Sequence, residues 1–204
     1  MSSHHIVRDE QEPALILVEV GVGSFELAGH LLGWSPLVVA LPGCLADVLG
    51  WGIKIDAVLL PDGDQISWEL LLAPQQPLKI INAQQAQLNA AVDWVIGKKA
   101  KAINILGEYS PDYQPPEWLA EFSEISWTVY SPTYKGTLIR SGKYQKWHPE
   151  GTQVFVSQEV TWLSQQDSKN DTSYVGLTKP DWVVFEVARP TWVFERISLP
   201  ENGF

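Results

Sequence analysis

Cysteine is almost absent from this 204-residue chain, which has a single one, Cys44. One thiol cannot form an internal disulfide, and it cannot supply the several thiolates of a cysteine zinc site. Histidine is scarce as well, and His30 and His148 stand alone in the sequence without the short spacing of a metal motif. These absences exclude a disulfide-stabilised fold and a cysteine zinc centre.

Positive charge is in deficit too. Lys and Arg together number 14 against 24 for Asp and Glu, which gives a formal net charge of −10. Because an acidic surface repels a phosphate backbone, a nucleic acid is not expected as a partner. A nucleotide is still compatible with this charge, since a divalent cation can bridge carboxylates and phosphates.

Long apolar runs are also missing. No stretch reaches the roughly 20 residues that span a bilayer, and the polar start MSSHHIVRDEQEP lacks the apolar core of a signal peptide. With 45% hydrophobic and 19% charged residues, the chain has the composition of a folded protein. We therefore expect a cytoplasmic protein that does not enter a membrane.

The first half of the chain alternates between short apolar runs and helical segments. Such runs, when each ends at Gly, Pro or Asp, are typical of strands buried on both faces of a parallel sheet. Four occur: ALILVEVG, PLVVALPG, IDAVLLPDGD and AINILGEYSPD. Between them, CLADVLGWG and NAQQAQLNAAVDWVIGKK are predicted to be helical, because Leu88, Val92 and Val95 in the longer segment recur at helical spacing. This order predicts a Rossmann-like α/β domain with a parallel sheet.

After Gly107 the pattern changes. The segment EYSPDYQPPEW, rich in Pro and Tyr, is typical of a linker, and PEWLAEFSE predicts one short helix. From Ile125 onward the chain consists of short β-branched and aromatic runs separated by Gly, Pro, Asp and Asn. We therefore predict two domains: an α/β catalytic-type domain over residues 1–124 and a small all-β sandwich over residues 125–204.

The third apolar run ends in LLPDGDQ, where Asp62 and Asp64 flank a glycine. Asp-Gly is a common turn sequence, and Asp is favoured wherever its side chain can bond nearby backbone N–H groups. At the end of a buried parallel strand, however, the same carboxylates would lie at the edge where α/β folds bind ligands, and they could hold Mg²⁺. The residues alone leave both interpretations open.

Two longer stretches contain an ordered set of motifs. VVALPGCLADVLGWGIKIDAVLLPDGDQIS presents Gly43, Gly52-Ile53, Asp56, Asp62 and Asp64 in that order, and AQLNAAVDWVIGKKAKAINILG follows it. The order resembles the thiamine pyrophosphokinase family, which carries Asp-Gly-Gly, Gly-Ile-x-Pro-Asp, Gly-Asp-x-Asp-Ser and then a helix followed by Ala-Lys-x-Ile-x-Ile-Leu-Gly. The likeness covers residues 15–107 well and the β half only in outline.

Other positions of the family's motifs have changed. Pro42 replaces the acidic residue of Asp-Gly-Gly, Pro61 the Gly before the first metal-binding Asp, Gln65 the Ser after the second, and Ala86-Gln87 the family's Thr-Asp. EYSPDY replaces Gly-Gly-Arg-x-Asp-His, so that only Asp112 can stand for the Asp. The family's Ser-Asn-Glu motif near the thiamine pocket has no counterpart in the β half.

The resemblance implies transfer of pyrophosphate from ATP to thiamine, with Mg²⁺ as the metal. It implies that Asp62 and Asp64 are metal ligands and catalytic residues, that Asp112 is a more distant third catalytic residue, and that Gly43 and Gly107 contact the bound nucleotide. It also implies a homodimer formed through the C-terminal β domain.

The changed motifs imply activity weaker than that of the family and leave two alternatives. One is a non-catalytic relative that binds thiamine, its phosphates or a nucleotide. The other is a structural homodimer that has lost the pocket. Bulky residues near the site, Trp68 and Tyr109 among them, could fill the pocket or stack on a ligand ring.

Overall fold

The structure is a computed structural model that describes residues 12–61, 63, 65–84, 87–163 and 173–197. The chain forms two compact units. The first comprises the residues up to Gly107 together with Glu124–Ser126, and the second comprises Glu108–Ser123 and the residues from Trp127 onward.

The first unit alternates strands and helices. Its strands are β1 (Ala14–Leu17), β2 (Val38–Ala40), β3 (Ala57–Leu60), β4 (Lys79–Asn82) and β5 (Ala102–Leu106). Its helices are α1 (Ser24–Leu32), α2 (Leu45–Gly50), α3 (Gln65–Leu72) and α4 (Gln87–Gly97). The five strands are parallel and hydrogen-bonded in the order β5-β1-β2-β3-β4.

Burial explains why the predicted strands of this unit form. Every residue of β1, β2 and β3 is buried, as expected for parallel strands covered on both faces. Helix α4 buries Ala91, Val92 and Val95, which are successive positions on one helical face.

Three elements of the first unit were missed by the sequence patterns: α1, α3 and β4. Strand β4 lies at an edge and exposes Lys79 and Asn82, so it lacks the continuous apolar run of its neighbours. The predicted long helix is wrong at its start, because Asn82 ends β4 and α4 begins only at Gln87. Helix α3 exposes Leu70 and Leu71, which removes the amphipathic signal.

The second unit is a β-sandwich. Its strands are β6 (Ser126–Tyr130), β7 (Tyr134–Ile139), β8 (Gly142–His148), β9 (Gln153–Val156), β10 (Thr161–Trp162), β11 (Tyr174–Gly176), β12 (Asp181–Val187) and β13 (Thr191–Arg196). One layer has the order β11-β9-β13-β7-β6, with its strands antiparallel, and the other is the antiparallel sheet β10-β12-β8. A 3-10 helix, Glu117–Glu121, precedes them where the sequence predicts a short helix.

The two layers of the second unit pack face to face. Val154, Val175 and Val193 from one layer and Phe185 and Val183 from the other belong to one buried apolar cluster. The predicted fold class, a parallel α/β domain followed by a small all-β sandwich, is therefore confirmed. Within the described part of the chain, no helix has both the length and the apolar character needed to cross a membrane.

Candidate functional site

The carboxyl ends of the five parallel strands define the candidate site. Because all five strands run in one direction, the segments that leave them meet at one edge of the first unit. Ligands of open α/β folds bind at this edge, in the crevice where the strand order reverses. Here the reversal falls between β1 and β5, where the backbone N–H of Val18 donates to Leu106 O at 2.9 Å and buried Gly107 follows. Gly107 thus lies at the reversal of strand order, next to which ligands of open α/β folds generally bind.

Asp62 and Asp64 themselves lie outside the described residues. The flanking elements fix where the chain passes, because Leu60 ends β3 and Gln65 begins α3. Gly63 between them has φ +95°, a backbone conformation that strongly favours glycine. A turn therefore follows β3, and a turn is compatible with either interpretation of the two carboxylates.

Gly43 lies in a 3-10 turn, Pro42–Cys44, directly after β2. It is exposed, and a Cβ added there would lie 3.8 Å from Val18 O, an ordinary contact distance. Neither the backbone nor the packing therefore requires glycine at this position. The missing side chain instead leaves the backbone of the turn accessible beside the end of β1.

Cys44, the next residue, is a structural group. It is fully buried, and its thiol donates to Leu17 O at 3.2 Å and Leu41 O at 3.4 Å. Burial, with smaller contributions from the nearby carboxylates of Asp47 and Glu19, raises the pKa of this thiol to about 12. A thiol of this pKa is not a nucleophile near neutral pH.

Glu19 is a further carboxylate at this edge, and it belongs to none of the family motifs described above. It is exposed and lies two residues after the end of β1. The signal that could have found it is an acidic residue two positions after a fully buried strand.

Asp112 belongs to the second unit, where it is exposed in a turn. Ser110 N donates to Tyr113 O at 3.0 Å, and Tyr113 N donates to Ser110 Oγ at 3.0 Å. The Tyr109 and Tyr113 rings stack at 6.1 Å. These contacts hold the segment around Asp112 in a defined conformation.

The first unit also has a pocket of about 610 Å³ at the opposite, amino edge of its strands. Two of the polar side chains that line it, Asp56 and Lys54, are engaged by backbone groups. Asp56 Oδ2 accepts the Val38 N–H at 2.9 Å, and Lys54 Nζ donates to Ile55 O and Pro77 O at 2.6 and 2.8 Å and to Gln75 O. These bonds tie the start of β3 to its neighbours, so we assign Asp56 and Lys54 structural roles.

A polar cluster lies inside the second unit, around the histidine that stands alone in the sequence. His148 is 2% exposed, and its Nε2 lies 3.3 Å from the Tyr144 hydroxyl. That hydroxyl donates to Glu195 Oε1 at 3.5 Å, and Lys146 Nζ lies 2.7 and 2.6 Å from the two Glu195 oxygens. His148 Nδ1 is 4.0 Å from Glu195 Oε2. In the register of β8 with β12, His148 is paired with Asp181. Alternation along β8 and a contact across the two layers create this cluster, which sequence spacing could not show.

This cluster predicts a pH dependence of stability. Burial lowers the pKa of His148 below its ordinary value of 6.5; Glu195 opposes that shift and Lys146 adds to it. The native state then binds a proton less well than the unfolded chain, so stability present above pH 6.5 is lost as the pH falls toward the lowered pKa. We expect the urea midpoint to drop less between pH 7.5 and 5.5 in His148→Asn than in the parent.

The matched control is His30→Asn, which changes an exposed histidine on α1. It should keep the pH dependence of the parent. Equal slopes for the parent and both variants would contradict the role given to His148.

Comparison with known proteins identifies the fold. No protein-family model matches the chain, and no curated protein sequence matches it. Thiamine pyrophosphokinase from Bacillus subtilis is similar in structure, with a TM-score of 0.57 at 14% identity, over 92% of this chain and 100% of that one. The chain has the thiamine pyrophosphokinase fold.

Two further solved structures agree with this. Thiamin pyrophosphokinase from Geobacillus thermodenitrificans has a TM-score of 0.57 at 15% identity, covering 92% of this chain and 99% of its own. Thiamin pyrophosphokinase from Candida albicans has a TM-score of 0.62 at 9% identity, covering 93% and 90%. The structural similarity establishes the thiamine pyrophosphokinase fold. Because the sequence identities are this low, the activity has to be argued from the residues.

The carboxylates of Asp62 and Asp64 are oxygen donors, the ligand type that suits Mg²⁺. That ion prefers oxygen ligands and keeps several waters, so a pair of carboxylates together with phosphate oxygens is a sufficient set. Among the described residues, no three His, Cys, Asp or Glu side chains are grouped closely enough to hold a metal.

Proposed function

We propose that the chain is a divergent, cytoplasmic member of the thiamine pyrophosphokinase family that transfers pyrophosphate from ATP to thiamine slowly. The observation that carries the proposal is the place of Asp62 and Asp64 in the chain. They occur between the end of β3 and the start of α3, in a thiamine pyrophosphokinase fold, where parallel strands present their carboxyl ends. In this proposal residues 1–124 bind the nucleotide and residues 125–204 form the thiamine-binding domain of a homodimer.

The reaction needs positioning and neutralised charge more than covalent chemistry. The thiamine hydroxyl oxygen forms a bond to the β-phosphorus of ATP, the bond from that phosphorus to the α–β bridging oxygen breaks, and AMP leaves with that oxygen. The hydroxyl proton passes to solvent. Mg²⁺, when bound, would supply positive charge to the β- and γ-phosphates.

Each site residue has a role in this proposal. Asp62 and Asp64 hold the metal ion, and Asp112 is a third carboxylate. Gly43 has no side chain, so the backbone of its turn can approach the phosphates closely. Gly107 lies at the reversal of strand order, where ligands of such folds bind.

The family motif residues that this chain lacks determine the rate of AMP release that we expect. The family's Arg and its additional carboxylate are absent, and removing one group that stabilises developing charge costs about a hundredfold or more. We therefore expect AMP release well below about one turnover per second, the low end for ordinary enzymes.

The test follows AMP release from ATP with thiamine and Mg²⁺, together with the shift of the melting temperature caused by each ligand alone. Slow, thiamine-dependent release supports the proposal, and an ordinary enzymatic rate would show that the changed motifs do not slow the reaction.

The changed motifs also favour a second function, a non-catalytic protein that binds thiamine or a nucleotide. A stabilisation of several degrees without AMP release would identify that binder, because a ligand at a hundred times its Kd adds about 2.7 kcal/mol.

A further inference from the structure

The pocket at the amino edge of the first unit, called here the amino-edge cavity, has the size of a ligand site. Its volume of about 610 Å³ lies within the range of roughly 300–1,000 Å³ that is typical of sites for small molecules. The described residues that line it include none of those assigned to the phosphotransfer. The four residues of β3 separate it from the carboxyl edge by about 13 Å of strand.

Most of the wall of this cavity is apolar. Leu32 lies at the end of α1, Pro36 and Leu37 lie just before β2, and Ile53 lies before β3. Leu32, Leu37 and Ile53 are only half-buried, so part of each side chain is still in contact with water. A ligand with an apolar group would remove this surface from water, which favours binding.

The cation of the cavity is not available to an anionic ligand. An ammonium group has three donors, and Lys54 Nζ donates to three carbonyl oxygens, those of Ile55, Gln75 and Pro77. The N–H of Val38 is used as well, because it donates to Asp56 Oδ2. A phosphate or carboxylate ligand would therefore find no free charged donor among the described residues of this cavity.

The acceptors of the cavity, in contrast, are available. Asp56 uses Oδ2 for its structural bond to Val38, and its Oδ1 has no hydrogen-bond partner among the described residues. Glu12 is half-buried and forms neither a hydrogen bond nor an ion pair with the described part of the chain. The cavity thus combines apolar walls with two carboxylates that can still accept hydrogen bonds.

The charge of the surrounding domain acts in the same direction. Residues 1–124 contain six basic and sixteen acidic residues, so the whole net charge of −10 belongs to this part of the chain. A cleft with apolar walls focuses such a field and raises the local concentration of ions of the opposite sign. Cations are therefore attracted to the amino-edge cavity, and anions are repelled.

We propose that the amino-edge cavity binds a small organic cation, an ammonium group carried by an apolar body. The ammonium donates charge-assisted hydrogen bonds to the free oxygens of Glu12 and Asp56, and such bonds are roughly twice as strong as neutral ones. The apolar body packs against Leu32, Leu37 and Ile53. This ligand site is separate from the carboxyl edge, and it holds or fails independently of the phosphotransfer.

The first test compares three probes that share a phenyl group: 2-phenylethylammonium, neutral 2-phenylethanol and anionic 3-phenylpropionate. Each is titrated into the full-length protein labelled with ¹⁵N, and the amide shifts of Val38, Lys54 and Asp56 are followed. We expect the ammonium to bind at least tenfold more tightly than the alcohol, and the carboxylate to cause no saturable shift. Equal affinities for the ammonium and the alcohol, or no shift at these amides, would overturn the proposal.

A pair of double variants tests whether the two carboxylates are responsible. Glu12→Gln combined with Asp56→Asn removes both charges but keeps an oxygen that can accept the Val38 N–H, and it should abolish the preference for the ammonium. The matched control combines Glu26→Gln with Asp47→Asn, which removes the same charge at exposed positions of the same unit and should keep the tenfold preference. Equal preferences in the two double variants would assign the effect to net charge alone and overturn the proposal.

One single variant keeps this test valid if the double variant at the cavity fails to fold. Glu12→Gln changes a residue that lies before β1, outside every strand and helix. It should lower the preference for the ammonium over the alcohol at least threefold. An unchanged preference would show that Glu12 does not contact the ligand and would overturn the proposed site.

Discussion

Replacing either Asp62 or Asp64 by asparagine is expected to reduce residual AMP release by at least about a hundredfold. Asparagine supports a turn as well as aspartate does, so the substitution keeps the conformation that Gly63 indicates. It removes only the negative charge, which a carboxylate needs to hold Mg²⁺ against water. The variants therefore separate the two interpretations of these residues, a metal site and a simple turn.

Asp93→Asn is the matched control, because it makes the same change at an exposed position of α4. It should leave both the rate and its dependence on Mg²⁺ as in the parent. The decisive comparison is the initial rate of AMP formation at saturating ATP, thiamine and Mg²⁺ for the parent and the three variants. Unchanged rates in Asp62→Asn and Asp64→Asn would mean that the metal is held elsewhere.

Replacing Gly136 by valine is expected to disrupt the second unit. A Cβ at this position would lie 2.7 Å from Phe194 Cε1 and 2.7 Å from Val129 Cγ2. Phe194 is fully buried and Val129 is 1% exposed, so neither side chain can move aside into solvent. Overpacking of a core costs about 1–3 kcal/mol and sometimes more, and we expect the upper end because valine adds two further methyl groups.

Urea unfolding of the full chain, followed by tryptophan fluorescence, measures this effect. Gly50→Ala in α2 is the control, because no heavy atom outside the nearby backbone of its own helix and the two neighbouring residues lies within 4 Å of the new methyl group. Alanine there should be neutral or stabilising by up to about 1 kcal/mol. A Gly136→Val protein with the midpoint of the parent would show that the sandwich adapts around Phe194.

The sequence predicts the buried elements of this fold well. Strands β1, β2, β3 and β5 follow from continuous apolar runs, since both faces of a parallel sheet are covered. Strand β8 has no apolar alternation to predict it, because its inward positions include Lys146 and His148, which are polar. Both side chains lie near Glu195, a residue about fifty positions away, and local patterns contain no information about such a contact.

The candidate site, like the fold, could be predicted from the sequence only in part. Chain order places Asp62 and Asp64 after β3 and Gly43 after β2, and the structure agrees with both strand ends. The roles of Asp56 and Lys54 could not be predicted, because they depend on backbone groups of other segments, Val38 N–H and Pro77 O. Spacing along the chain finds residues near strand ends, but it does not distinguish those that bind a ligand from those that support the fold.

The single thiol gives this protein a built-in reporter of local opening. Cys44 is inaccessible and has a pKa of about 12, so a thiol reagent can reach and modify it only when the first unit opens around it. The chain has no other cysteine to compete for the reagent. Because Cys44 closes the turn that contains Gly43, a molecule seated on that turn would slow the labelling reaction, and occupancy of the carboxyl edge becomes measurable without any catalytic turnover.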